Sequence, residues 1–132
     1  MDRQGRIGRE TAGAVLLAAL LLLGLLTAWD MESTHRQVAR QLEDAAWLAL
    51  SEDWENARMA CASAESQWED HRGIACLLAD HTPMEQIDAL FARLGICSAA
   101  RDREEFAAAC AELSRYVLAM GEAHHLSWQN LL

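Results

Sequence analysis

The sequence predicts an all-α protein, with an N-terminal transmembrane helix followed by an antiparallel four-helix bundle. Three observations support this prediction. Residues 11–29 carry no charge, proline occurs once in 132 residues, and the remaining chain repeats apolar residues at steps of three and four. Scarce proline and abundant alanine favour helix over strand. About 100 residues follow the apolar segment, which is enough for a modest core.

The apolar segment is long enough to cross a bilayer as a helix, because 19 residues at 1.5 Å each span about 28 Å. Arg3, Arg6 and Arg9 precede it while Asp30 and Glu32 follow it, so the positive-inside bias places the N-terminus in the cytoplasm. The predicted organisation is a cytoplasmic N-terminus over residues 1–10, a signal-anchor helix over 11–29 and an exported acidic helical domain over 30–132.

A cleaved secretory signal is the alternative to a retained anchor, since it has the same basic start and apolar core. The best cleavage site would follow Ala28, and Leu26 at its −3 position is a poor match to the small residues that cleavage requires. We therefore favour the anchor. With either interpretation the domain is exported.

The charge of the chain limits its partners. Residues 1–29 have a net charge of +1, which leaves −10 for residues 30–132 because the whole chain carries −9. A domain this acidic repels phosphate backbones, so we expect no nucleic acid partner. The predicted partners are the bilayer, through residues 11–29, and an envelope protein.

Four amphipathic stretches make up the predicted exported domain, and each repeats apolar residues along one helical face. The stripes are Met31, His35, Val38, Leu42, Ala45 and Ala49 in the first; Trp54, Ala57, Cys61, Ala64, Trp68, His71, Ala75 and Leu78 in the second; Ile87, Leu90, Phe91 and Leu94 in the third; and Phe106, Cys110, Leu113, Val117 and Met120 in the fourth.

Helix-start signals separate these stretches. The third also has a proline at its first helical position, which is a typical N-terminal feature. Links of a few residues imply antiparallel neighbours, as in an up-down bundle. The signals are Ser51 and Asp53 before the second helix, Thr82, Pro83 and Glu85 at the third, Asp102 and Glu105 at the fourth, and Gly121 as the predicted C-cap of the fourth.

The second and fourth stretches are similar to each other. DWENARMAC at 53–61 and DREEFAAAC at 102–110 place a cysteine at the same point. Two related hairpins could instead form a short solenoid of two tetratricopeptide-like helical hairpins. The period of 49 residues and the absence of that repeat's signature residues favour the bundle.

Three blocks of sequence follow the basic start and the apolar segment in a fixed order: LSEDWENARMACASAESQW, DHTPMEQIDALFARLGICSAARDREEFAAACAEL and LSWQNLL. This order resembles the family called domain of unknown function 4363, short single-anchor exported helical proteins of Gram-positive bacteria. The resemblance covers nearly the whole chain. It implies an exported helical protein without an assigned activity, and therefore no catalytic residue. The four cysteines depart from the family's expected pattern.

An even number of cysteines in an exported domain suggests disulfides. If the second and third helices turn back near residue 81, Cys97 lies within about 6 Å of Cys61 along the helix axis. This permits a disulfide between Cys61 and Cys97. The favoured alternative is that cysteines in alanine-rich stripes act as small core residues. The sequence has no CxxC pair, so nothing local indicates a redox or zinc site.

The five histidines do not predict a metal centre. His124 and His125 are adjacent, and adjacent helical residues point about 100° apart. His35 and His71 lie on apolar stripes, where we expect hydrogen-bonded core residues. We therefore predict no metal site and no cofactor. Because no nucleophile is paired with a base and the carboxylates mostly face outward, we also predict no catalytic residue and no enzyme activity.

The last nine residues, HHLSWQNLL, are more apolar than a solvated terminus. Leu126, Trp128, Leu131 and Leu132 can fold back on the bundle, which we favour, or dock onto a partner. We expect a protein interaction or scaffolding module in the cell envelope. The alternative is a small-ligand or metal binding and sensing domain lined by His35, His71 and the cysteines.

Overall fold

The computed structural model describes the backbone of residues 2–78 and 82–131, and the side chains of residues 8–26, 29–30, 32–73 and 83–122. The backbone forms α1 over Asp2–Leu50, α2 over Trp54–Leu78, α3 over Thr82–Ala100 and α4 over Arg103–Leu131, with no strand in these two ranges. The prediction of an all-α protein with an N-terminal apolar helix is confirmed. The chain divides into two units, Met1–Asp30 and Met31–Leu132.

The first unit contains the apolar stretch Gly8–Leu26 of α1. This stretch of 19 residues is long and apolar enough to span a bilayer, and none of it is buried in the structure. Its leucine and valine side chains are exposed all around the helix. A retained anchor and a secretory signal share this length and composition, so both interpretations fit the helix.

The second unit has one hydrophobic core to which all four helices contribute. The predicted stripes are buried wherever their side chains are described, except for Trp54 and Cys61, which are half-buried at the edge of the core. The side chains of Met31, Ala75 and Leu78 lie outside the described residues. The largest fully buried side chains are Trp68, Phe106, Leu42, Ile87, Leu94 and Leu113.

A close contact between α1 and α4 favours the bundle over the solenoid. A Cβ atom at Gly121 of α4 would lie 3.3 Å from the Cβ atom of His35 on α1. Two stacked hairpins would keep α1 and α4 at opposite ends of the stack, whereas an up-down bundle brings the first and last helices together. A separate contact joins α3 to α4, where Arg93 forms ion pairs with Glu105 and Glu112, two turns apart on α4.

The turn between α1 and α2 combines a Schellman motif with an N-cap. Glu52 has a φ of 64°, which is the left-handed conformation that ends many helices. The Glu52 N–H donates to the Ala49 carbonyl at 2.9 Å, and the Asp53 N–H donates to the Leu48 carbonyl at 2.9 Å. The Asp53 carboxylate then accepts a hydrogen bond from the Asn56 backbone N–H at 3.4 Å, as an N-cap does, and a second one from the Asn56 side-chain amide at 2.8 Å. Asp53 thus closes one helix and opens the next.

The turn between α3 and α4 has the same construction. Arg101 has a φ of 54°, and its N–H donates to the Ser98 carbonyl at 3.2 Å. The Asp102 N–H donates to the Cys97 carbonyl at 3.1 Å. The Asp102 carboxylate accepts from the Glu105 N–H at 3.2 Å, as its predicted N-cap role requires. The sequence similarity between 53–61 and 102–110 therefore reflects two equivalent turns.

One predicted helix end is wrong. Gly121 does not cap α4, because the helix continues to Leu131. Gly121 is instead buried against His35, where the absence of a side chain allows α1 and α4 to approach closely. A glycine after an amphipathic stripe indicates either role, and only the fold distinguishes them.

We predict that Arg101→Gly stabilises the protein. Arginine in the left-handed conformation costs roughly 1 kcal/mol relative to glycine, so the free energy of unfolding should rise by about that amount. Thermal unfolding of the full chain in detergent micelles, followed by circular dichroism, measures the change. Arg40→Gly, at an exposed interior position of α1, is the matched control and should lower stability by about 1 kcal/mol. Destabilisation by Arg101→Gly would contradict the role assigned to this turn.

Candidate functional site

Three buried rings lie together in the second unit, His35 of α1 and Trp68 and His71 of α2. The ring centroids of His35 and His71 are 5.8 Å apart with planes at 90°, and those of His35 and Trp68 are 6.1 Å apart with planes at 71°. These are edge-to-face contacts. We call these three residues the histidine cluster.

Helix periodicity and a small neighbour position the cluster. Trp68 and His71 are three residues apart, so both project from the same face of α2. His35 meets them from α1, and Gly121 of α4 lies behind it, where a Cβ atom would be 3.4 Å from Cγ of the His35 ring. A larger side chain at position 121 would push against the imidazole ring. Three helices therefore fix the position of His35.

The cluster is almost inaccessible to solvent and rich in nitrogen. His35 is 3% exposed, His71 9% and Trp68 2%. Trp68 Nε1 and His71 Nε2 are buried and find no hydrogen-bond partner among the described residues. Burying such groups without partners costs roughly 1–3 kcal/mol each, so the core carries this cost at the cluster. A buried polar group of this kind is often explained by an ion or a water molecule.

A shallow groove between α2 and α3 runs beside the cluster and has a volume of about 300 Å³. Trp68 forms part of its wall, and Arg72 and Asp88 close one side with an ion pair of 2.7 Å. Both of these side chains are well exposed to solvent, so the pair contributes at most about 1 kcal/mol to stability. The groove is lined by Glu65, Trp68, Glu69, Arg72, Asp88, Phe91 and Ala92.

Among the described cysteines, Cys97 and Cys110 belong to the hydrophobic core and Cys61 packs against its edge. Cys61, Cys97 and Cys110 are free thiols, and Cys97 and Cys110 are buried. Burial raises the pKa of Cys61 to about 11, with a further contribution from the charge of Glu65. Burial also raises the pKa of Cys110 to about 12, with further contributions from Cys61 and Cys97.

The structure therefore brings together only part of the predicted ligand lining. His35 and His71 are in contact, but Cys61 lies ten residues from His71 on α2, which is about 15 Å along the helix. Within residues 8–26, 29–30, 32–73 and 83–122, no group of three or more His, Cys, Asp or Glu side chains is arranged to hold a metal ion. Cys61 therefore lies away from the histidine cluster, and the side chain of Cys76 lies outside the described residues.

Two predicted sites, the disulfide and the C-terminal docking residues, remain predictions. The disulfide between Cys61 and Cys97 would require oxidation of two thiols that are free in the structure. The partner-docking residues lie outside the described side chains, although the backbone of α4 extends to Leu131. These residues are Leu126, Trp128, Leu131 and Leu132.

The predicted sites do not include Trp47, which is 72% exposed on α1. Leu50 follows one turn later and is 43% exposed. Trp47 lies off the stripe that runs from Val38 to Ala49. This position off the stripe is the sequence feature that predicts an exposed side chain, because a tryptophan outside the core stripe must face solvent or a partner.

The described residues form a small all-α protein. Its N-terminal helix carries one apolar stretch of the kind found in secretory signals and in membrane anchors. Residues 27–131 match the family model described as "Domain of unknown function (DUF4363)". The chain therefore belongs to this family, and the predicted resemblance is confirmed. No curated protein and no solved structure matches the chain.

We predict that Gly121→Val destabilises the protein by about 1–3 kcal/mol, because the added side chain overpacks the contact with His35. Gly95→Val is the matched control, since Gly95 is an exposed helical glycine with open space around its Cβ position. That control should be neutral or slightly stabilising. Thermal unfolding of both full-length variants measures the difference, and equal stabilities would contradict the close packing of α1 against α4.

We predict that Cys61 and Cys110 react slowly with iodoacetamide at pH 8 in the folded protein. A pKa of about 11 rather than 9.0 for Cys61 lowers its thiolate fraction about a hundredfold, while higher thiolate nucleophilicity recovers about tenfold. Alkylation of the reduced protein should therefore be at least about tenfold slower than in urea. Mass spectrometry of each cysteine gives the rates, and equal rates in both states would contradict burial of the thiols.

Proposed function

We propose that this DUF4363 protein is a single-pass membrane protein whose extracytoplasmic domain binds another protein of the cell envelope. Gly8–Leu26 supports the anchor because it is long and apolar enough to span a bilayer. The arginines before it and the acidic residues after it support a cytoplasmic N-terminus. Confinement to the membrane plane raises the effective concentration of such a domain near membrane-bound partners.

The observation that carries the interaction proposal is the exposed pair of Trp47 and Leu50. Tryptophan is the residue type most enriched at binding hot spots, and its large apolar surface gains most when a partner covers it. Leu50 extends the apolar surface by one helical turn. Since the α1 stripe already supplies the core, this pair is free to make external contacts without loss of internal packing.

The charges around this pair indicate the chemistry of the partner. Glu43 and Asp44 are exposed and precede Trp47 by four and three residues, so they lie on the same side of α1. We call Glu43, Asp44, Trp47 and Leu50 the Trp47 face. A complementary surface would offer an apolar pocket for the indole and a basic rim for the carboxylates. The partner is therefore expected to be a protein with a cationic, apolar-centred surface.

We expect binding without catalysis. The thiols with a raised pKa are poor nucleophiles at neutral pH, because little of either thiol is ionised. The Trp47 face consists of carboxylates and apolar groups without a cleft. These features favour a role that depends on helix-face contacts.

The proposal is tested by photo-crosslinking in native membranes. A benzophenone amino acid at position 47 should capture one envelope protein, whereas the same probe at position 59 should not. Met59 is the matched control because it is an apolar residue of α2 that is 64% exposed. Equal capture at both positions, or no capture at position 47, would contradict a binding surface on this part of α1.

A substitution gives the energetic test. Trp47→Ala should weaken binding of the captured partner at least tenfold, as expected for a tryptophan hot spot. It should leave the melting temperature of the full chain nearly unchanged because the side chain is exposed. Met59→Ala should change neither quantity. Trp128→Ala tests the C-terminal residues separately: if this variant loses binding while Trp47→Ala retains it, docking is by the tail and the Trp47 face is not the site.

A further inference from the structure

We infer that Trp29 binds the headgroup layer of a phospholipid bilayer, in the extracytoplasmic leaflet, and fixes the depth of the apolar helix in the membrane. This contact rests on the membrane anchor proposed above and adds a lipid-binding residue to it. Three features of the first unit support it: the exposure of Trp29, its place just beyond the apolar stretch, and its distance from Arg9.

The indole of Trp29 does not take part in a hydrophobic core. It is 76% exposed, and none of the described side chains of the first unit is buried. Leaving so large an apolar ring in water is unfavourable, yet its N–H group requires a hydrogen-bond acceptor. The headgroup layer meets both demands, because acyl chains cover the ring while phosphate and ester oxygens accept from the N–H. Tryptophan is enriched at membrane interfaces for this reason.

Trp29 lies at the point where the apolar stretch gives way to charge. Gly8–Leu26 is long and apolar enough to span a bilayer, and α1 continues through it without a break. Trp29 follows Leu26 by three positions, which is roughly 4.5 Å along the helix. Asp30 is the next residue. If Gly8–Leu26 fills the hydrocarbon layer, the indole therefore lies at headgroup depth.

The separation of Trp29 from Arg9 provides an independent measure of depth. The two residues are 20 positions apart in one helix, so they lie about 30 Å apart along its axis. The hydrocarbon core of a bilayer is also about 30 Å thick. Arg9 is exposed, and its long side chain can place the guanidinium among the headgroups of the opposite leaflet. Polar and aromatic groups at both surfaces resist sliding of the helix along the membrane normal.

The surroundings of Trp29 favour lipid over a protein pocket as its binding partner. Leu25 and Leu26 lie about one turn before it, and the leucine and valine side chains of this stretch are exposed all around the helix. A protein would cover one face of such a helix, whereas lipid covers every face. Trp47 is also exposed but follows Glu43 and Asp44 instead of an apolar run. The two exposed tryptophans of α1 therefore have different partners.

The test uses the full chain reconstituted in phospholipid vesicles, where co-flotation with the vesicles first establishes membrane binding. Tryptophan fluorescence is then quenched with lipids brominated either near the headgroup or near the end of the acyl chains. The headgroup-proximal bromine should quench more strongly, and this quenching should be lost in Trp29→Phe. Trp47→Phe is the matched control, because it removes the other exposed tryptophan of α1, and it should keep the quenching.

A second variant tests the depth of the indole directly. Leu25→Trp combined with Trp29→Phe moves the indole one turn toward the bilayer centre on the same helical face. The stronger quenching should then shift to the bromine near the end of the acyl chains. An unchanged depth profile in this variant would contradict the placement of Trp29 at the interface.

The remaining outcomes separate the lipid contact from the anchor. The contact is overturned if a co-floating chain shows no headgroup-proximal quenching or if Trp29→Phe keeps it. It is also overturned if Trp47→Phe or Trp128→Phe loses the quenching, because the indole at the membrane is then a different one. A chain that does not co-float contradicts the proposed anchor itself, and the lipid contact with it.

Discussion

The contact between α1 and α4 at Gly121 is the constraint on which the second unit depends. A Cβ atom at this position would lie 3.3 Å from that of His35, which is tighter than most such contacts, so the absence of a side chain lets the two helices approach closely without adjustment. This contact brings the first and last helices together and favours a closed bundle. The same His35 ring contacts Trp68 and His71 of α2. The histidine cluster and the contact between the first and last helices therefore meet at His35.

Features that depend on neighbours in the chain could be predicted from the sequence. The spacing of Leu42, Trp68, Ile87 and Leu113 indicates helices with one buried face, and these residues are buried. Asp102 is a predicted N-cap and accepts the expected hydrogen bond from Glu105. Both are consequences of helix periodicity or of unsatisfied N–H groups in the first turn, which operate over three or four residues.

Features that depend on the register between helices could not be predicted in this way. Periodicity places His35 and His71 on apolar faces but does not say that their rings meet. Gly121 follows a stripe and resembles a C-cap, and the helix passes through it because α1 lies opposite. The sequence also does not predict the left-handed backbone conformations of Glu52 and Arg101, since glutamate and arginine rarely adopt a positive φ. Tertiary packing selected these local states over the preferences of the residues.

The two equivalent turns have a consequence for the order of assembly. Each joins its helices through bonds between residues no more than five apart, so the α1–α2 and α3–α4 hairpins can each form locally and quickly. The contact that brings them together does not have this advantage, because His35 and Gly121 are 86 positions apart in the chain. We therefore expect the two hairpins to form before they pack together. In that order, α4 covers His35 only at the last stage of folding.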